Sequence, residues 1–353
     1  MSKIDELQTI KNKIKIALKL KGCAVDVGMI GYADKIRGIK TVANVESVVD
    51  FKPWLTFEGS TTSDTSLYEM FNKIYYDRPY GGRYDFSYMF YNCKNLINAP
   101  SQLETTKIKP RGCSHMFEGC EKLTTAPYID TSLCAHFDRM FQGCKSLTTV
   151  PLYNTTCKDA ANVGTSFSHM FHDCTSLTTV PLFDTSNADT LVGMFYDCTS
   201  LTTVPLFDTS NVSVMEEMFR GCTSLTTIPQ FDMSNTYDVD YMFYNCESLT
   251  SLPLLDCSRV WGMRTTFYGC KSLTTLGGFA NLGESDGFNN EGDIFLDLSY
   301  ATNLTRESVL NVFRNLYDRK WMDSFKIKIP RYSVLYEDDI AIATNKGWTI
   351  VLT

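Results

Sequence analysis

Three sets of side chains in this sequence are of types that do chemistry, and two of them recur along the chain. Eight cysteines, Cys93, Cys120, Cys144, Cys174, Cys198, Cys222, Cys246 and Cys270, are separated by 27, 24, 30, 24, 24, 24 and 24 residues. Thiolates could hold a metal ion or pair as disulfides. Zinc sites usually need paired thiolates at C-x-x-C spacing or a Cys/His cluster, and the sequence has no C-x-x-C. The regular spacing predicts instead a column of buried thiols used as small apolar groups. Asp130, Asn154, Asp184, Asp208, Asp232 and Asp256 form a second column. Stacked carboxylates repel. Calcium would relieve that repulsion, but the expected role is to cap or brace the turn after each strand. The third set is His169, His172 and Cys174. It is the best metal candidate in the chain, yet Met170 and Phe171 fill core positions between the imidazoles. The next repeat carries Gly193 and Tyr196 at the histidine positions, so an exposed pair on a turn is expected. His115 and His136 also fall inside repeats, and G-x-S-x-G, H-E-x-x-H and a phosphate-cradling glycine loop are all absent. No catalytic residue, metal or cofactor is expected.

The cysteines belong to a longer register, which defines the elements around them. Three residues before each stands Phe (Phe90, Phe117, Phe141, Phe171, Phe195, Phe219, Phe243, Phe267), after Met in every copy but one, where Thr266 replaces it. Three residues after each stands Leu, and Pro follows four residues later except at Gly277. In the copy beginning at Cys198, Leu201, Val204 and Leu206 have the rhythm of a strand. Val212, Met215, Met218 and Phe219 have helical spacing. Asp208-Thr209-Ser210-Asn211 between them is rich in helix-capping residues. Each unit therefore reads as strand, turn, short helix and return. One such unit cannot bury its apolar face alone, so neighbours must stack on a shared core.

The strings M-F-x-x-C-x-S-L-T-T-x-P-x-x-D-T-S-N from about residue 89 to residue 276 resemble the BspA-like leucine-rich repeats of bacterial surface proteins, in the variant also known as a mycoplasma lipoprotein-type repeat. The resemblance implies an α/β solenoid of the leucine-rich-repeat class. It would have a parallel β-ladder, short helices on the other face, an N-terminal helical segment and terminal caps. It also implies binding or scaffolding, because such repeats occur in adhesins, antigens and bacteriophage structural proteins. Fold alone does not set activity. The second threonine of each pair, at Thr125, Thr149, Thr179, Thr203, Thr227 and Thr275, is expected on the concave side, where a host glycan or protein could bind.

With 44% hydrophobic residues and a net charge of -7, the chain can build a core and lacks the basic surface that nucleic acid requires. No apolar run is long enough to span a bilayer, and the N-terminus does not read as a signal peptide. Residues 1–40 nevertheless carry nine Lys/Arg against four Asp/Glu. There Ile4, Leu7, Ile10, Ile14 and Leu18 recur at intervals of three and four, which predicts an amphipathic attachment helix. The expected organisation is an attachment segment (1–44), an N-terminal cap (45–84), the solenoid (85–283) and a C-terminal cap (284–353). That last cap would contain strands near 294–298, 326–329 and 348–352, and helices near 305–317 and 337–345. Lys13 to Gly22, Tyr32 to Ile39, Leu304 to Asp318 and Ala343 to Thr349 also resemble segments of phage tail or fibre proteins. That resemblance implies a non-enzymatic virion protein, made in the host cytoplasm, on a tail, baseplate or head fibre. Its N-terminal segment would join other virion proteins, its solenoid would touch the host surface or a virion partner, and copies could self-associate. The alternative expectation is a bacterial cell-surface adhesin.

Overall fold

The computed structural model describes residues 86–99, 112–156, 164–285, 294–322, 324–331 and 335–353. The expected attachment helix with Ile4, Leu7, Ile10, Ile14 and Leu18, and the expected N-terminal cap, lie outside the described residues, as do Cys23 and Cys157.

The chain winds as a parallel β-solenoid. Single bridges join Asn98 to Thr125, Thr125 to Thr149, and Thr190 to Val214 and on to Asp238. Short parallel pairs form between β1 (Thr165–Ser166) and β2 (Ala188–Thr190). Others join β3 (Ser251–Leu252) to β5 (Thr275–Leu276) and β4 (Leu255–Asp256) to β6 (Phe279–Ala280).

Each consensus residue does a defined job in this stack. The buried Cys120 thiol donates to Phe90 O of the preceding rung at 3.1 Å, and Cys144 donates to Phe117 O at 3.2 Å. Cys174, Cys198, Cys222, Cys246 and Cys270 repeat the bond to Phe141, Phe171, Phe195, Phe219 and Phe243. Thr185 and Thr209, both buried, donate to Asp208 O and Asp232 O of the following rung at 2.7 Å. Asn211 donates from Nδ2 to Ser186 O of the preceding rung at 2.7 Å. The phenylalanines stack face to face from Phe90 to Phe267, with successive centroids 5.1 to 5.8 Å apart. Tyr153, Phe183, Phe207 and Phe231 form a second ring column beside them.

The short helices expected in each repeat are replaced by linked turns; among the described residues no helix lies within a repeat. Met116 N bonds Cys113 O and Cys120 N bonds Phe117 O, closing turns within the rung. Between them, Phe117 N and Gly119 N reach Met140 O and Gln142 O of the next rung. The turns place His115 and Gly119 in the left-handed region, at φ 57° and 74°. The physical reason is thickness. A helix is about 10–12 Å across, whereas rungs repeat at about 4.8 Å, so helices on this face would force the ladder to curve, and a flattened run of turns follows it at the same spacing on both faces. Gly221 shows how close the approach is: a Cβ there would lie 1.8 Å from Asp197 Oδ1.

Cys113 and Cys134 lie outside the ladder of regularly spaced cysteines. They form a disulfide across 21 residues, with Cα atoms 6.4 Å apart.

At the C-terminal end, β7 (Ile294–Asp297), α1 (Arg306–Asn315), β8 (Lys326–Ile329), α2 (Glu337–Thr344) and β9 (Thr349–Leu352) occupy the positions anticipated for them. The strands form a parallel sheet in the order β7-β8-β9. Thr305 caps α1 through its side chain, and Arg306 pairs with Asp339 of α2 at 2.6 Å. α1 also covers an open ladder edge. Ser308 Oγ donates to Thr274 O and accepts from Leu276 N, while Asn311 Nδ2 donates to Leu276 O.

Two outcomes are expected. Thr209→Val keeps the shape but leaves Asp232 O without its donor, and should cost about 1–3 kcal/mol in urea unfolding. The ladder thiols should resist alkylation at pH 8 and react once denatured. Burial holds Cys144, Cys174, Cys198, Cys222 and Cys246 well above the ordinary thiol value and Cys270 at about 12.

Candidate binding face

The second threonine of each pair, at Thr125, Thr149, Thr179, Thr203, Thr227 and Thr275, is exposed, and so is the first except at Thr274, which is half-buried. Thr125 bridges Thr149, and Thr227 connects through Ser251 to Thr275, so these residues share one ladder face. The first threonine of a pair can also brace the ladder: Thr226 Oγ1 donates to Thr202 O at 3.4 Å and Thr250 Oγ1 to Thr226 O at 3.1 Å.

The strand rhythm misassigns one position, and that position is the more informative one. Leu206, expected inside with Leu201 and Val204, is 58% exposed, and Phe207 takes the core site. The cause is local. Phe207 N bonds Pro205 O at 3.0 Å, and Phe231 N bonds Pro229 O in the same way. A three-residue turn of this kind rotates its central side chain out of the strand alternation. The corresponding positions of other rungs face outward as well: Tyr128, Leu152, Leu182 and Leu254, with Leu206, are each 40–70% exposed, and Gln230 shares the column. The result is an apolar row beside the threonine face that runs unbroken from Tyr128 to Leu206, is interrupted at Gln230 and resumes at Leu254. Scattered apolar residues on a surface need no explanation, but a contiguous row does.

Two residues beyond the stripe runs the carboxylate column, exposed at Asp184, Asp208 and Asp232. Asp208 Oδ1 accepts from Ser210 N at 3.1 Å and from Ser210 Oγ at 2.7 Å, and Asp184 does the same with Ser186. Bracing the turn is therefore their structural job, although no helix follows for them to cap. The Ser210 hydroxyl, and then its amide, hold Asp208 below the ordinary carboxylate value.

His169 and His172 come together with ring centroids 5.4 Å apart, and His172 lies 4.3 Å from Tyr196. Burial lowers both imidazoles, keeping them neutral at pH 7. A side chain in place of Gly193 would strike His169, its Cβ 2.3 Å from Nδ1. Among the described residues, no group of three or more His, Cys, Asp or Glu side chains is placed to hold a metal ion, and no helix is long and apolar enough to cross a membrane.

A solenoid whose rungs carry Leu, Phe and Cys at these positions can be set beside known repeats. Residues 86–202 match the BspA type leucine rich repeat region, in six copies. Residues 165–277 match a Mycoplasma protein of unknown function. Among solved structures, a leucine rich cell surface protein from Faecalibacterium prausnitzii A2-165 is 14% identical, over 80% of this chain and 82% of that one, with a TM-score of 0.26. A superposition that loose adds nothing to the fold described above. No curated protein matches the chain. Tyr128, Leu152 and Leu182 of the leucine stripe fall within the residues that match the BspA type repeat region, and Leu206 and Leu254 lie beyond them.

Ser210→Ala should raise the Asp208 pKa in a carboxylate NMR titration. The depressed value means that the turn's contribution is present above the ordinary carboxylate value and lost as pH falls through the lowered one. In the variant that loss should begin at higher pH.

Proposed function

We propose that the chain is a non-enzymatic binding protein of the cell-surface adhesin type, and that the stripe from Tyr128 to Leu254 is its contact surface for another protein. The observation carrying this reading is the row of outward-facing apolar side chains at Tyr128, Leu152, Leu182, Leu206 and Leu254, an exposure whose cost in hydration folding alone does not require. Two flanking features suit the role. The exposed threonines give a polar rim, and Asp184, Asp208 and Asp232 give it a negative sign, so the favoured partner surface is apolar with basic groups beside it.

The surface location is preferred over a virion because residues 86–202 match the BspA type leucine rich repeat region. The Cys113–Cys134 disulfide suits either location, since disulfides form and persist on virions and on cell surfaces alike. Attachment through Ile4, Leu7, Ile10, Ile14 and Leu18 fits either location and is retained as part of the proposal.

Half-exposed leucines each offer about 1 kcal/mol of apolar burial to a partner. The variant Leu182→Ser/Leu206→Ser/Leu254→Ser should therefore keep the wild-type melting temperature but lose about 100-fold in affinity for extracellular-matrix proteins retained by the full chain on an array. Equal binding by both forms would remove the stripe from the proposal. Antibodies to the chain should label intact bacterial cells; labelling confined to purified phage particles would restore the virion reading.

A further inference from the structure

In a stack of near-identical rungs, departures from the repeat stand out. One column reads Ala135, Thr165, Asp189 and Ser213 in successive rungs, and then changes to Tyr237 and Trp261. Backbone bonds from Tyr237 N to Ser213 O and from Trp261 N to Tyr237 O, both 3.0 Å, hold these residues in register. Their rings stack with centroids 4.3 Å apart. A neighbouring column reads Asn187, Asn211 and Asn235 and then becomes Arg259, whose guanidinium donates to Asn235 Oδ1 at 3.1 Å. The ladder requires neither change, since earlier rungs stack with small or amide side chains at both positions.

The departures converge. Tyr237, Trp261 and Arg259, with Ser258, Glu284 and Ser285, line one open depression of about 710 Å³. That is within the size range of small-molecule sites, which combine apolar or aromatic walls with a few placed polar groups. The aromatic pair offers flat apolar surface. Arg259 supplies a planar set of donors, Glu284 an acceptor pair, and the two serines hydroxyls that act as either. The two charges cancel, so the site carries no bias toward an ionic ligand.

We propose that this depression binds a neutral pyranose unit of a glycan. A pyranose ring has an apolar C–H face to lie against Trp261 and Tyr237, and a rim of hydroxyls for Arg259, Glu284 and the serines. This site is separate from the leucine stripe and does not depend on it.

The test uses the full chain and saturation-transfer NMR with the methyl glycosides of glucose, galactose, mannose and N-acetylglucosamine. At least one should bind with a Kd of about 1–10 mM, the weak range expected for so small a ligand. Trp261→Ser, which restores the residue type of Ser213, should weaken it at least 10-fold, and Arg259→Asn, which restores the repeat's own residue, should weaken it measurably. Both replacements are already tolerated by earlier rungs, so folding is preserved. Trp321→Ala, at a 96% exposed side chain outside the depression, should change nothing. Absence of saturation transfer from all four glycosides up to about 50 mM, or binding undiminished in Trp261→Ser and Arg259→Asn, would overturn the assignment.

Discussion

Every part of the solenoid answers to one constraint: rungs that repeat at about 4.8 Å must satisfy each other's buried polar groups and fill each other's apolar gaps. A rung cannot do either by itself. The thiol-to-carbonyl bonds show the logic most clearly. Cysteine is small enough to sit beneath a phenylalanine ring, apolar enough to be buried, and still able to offer a weak donor to the carbonyl of the rung before it. Serine at the same place would bury a stronger dipole, and valine would offer no donor. The threonine and asparagine of the Asp-Thr-Ser-Asn turn extend the scheme in both directions. Thr209 bonds forward to Asp232 O, and Asn211 bonds back to Ser186 O. A rung thus presents donors to both neighbours, which makes interior rungs nearly interchangeable and makes the ends a problem. α1 solves that problem at one end by turning Ser308 and Asn311 onto the ladder atoms of Thr274 and Leu276.

This constraint also decides what could be read from the amino-acid sequence. The eight cysteines, the Phe and Leu columns and the stacked core were legible because identity in the sequence maps directly onto identity in the stack. The elements of the C-terminal end were legible for a different reason: Thr305 and the apolar periodicity after it are ordinary helix signals. The helical assignment of Val212, Met215, Met218 and Phe219 failed because linked turns and a helix both bring residues three and four apart to one side. Only the rung spacing tells them apart, and it is a tertiary fact. Leu206 was misplaced for a related reason. An alternating pattern cannot register a three-residue turn at Pro205, which shifts the inward position to Phe207. The Cys113–Cys134 disulfide joins two residues outside the repeat register, so no periodicity pointed to it.

The same logic separates structural columns from columns open to function. At buried positions the stack admits mainly Cys, Phe, Leu, Met, Val, Ile and Thr, and the chain uses little else there. At exposed positions the stack is indifferent, as the stripe demonstrates by accepting Gln230 between Leu206 and Leu254. An exposed column that stays apolar across several indifferent positions is therefore evidence of a requirement imposed from outside the fold. An exposed column that changes type abruptly, as at Tyr237, Trp261 and Arg259, is evidence of a local one. The first suits a long contact with a protein surface, where many modest apolar contacts add together. The second suits a small ligand, for which a few groups must meet at one place, and both can be held on the same rigid ladder without disturbing the residues that build it.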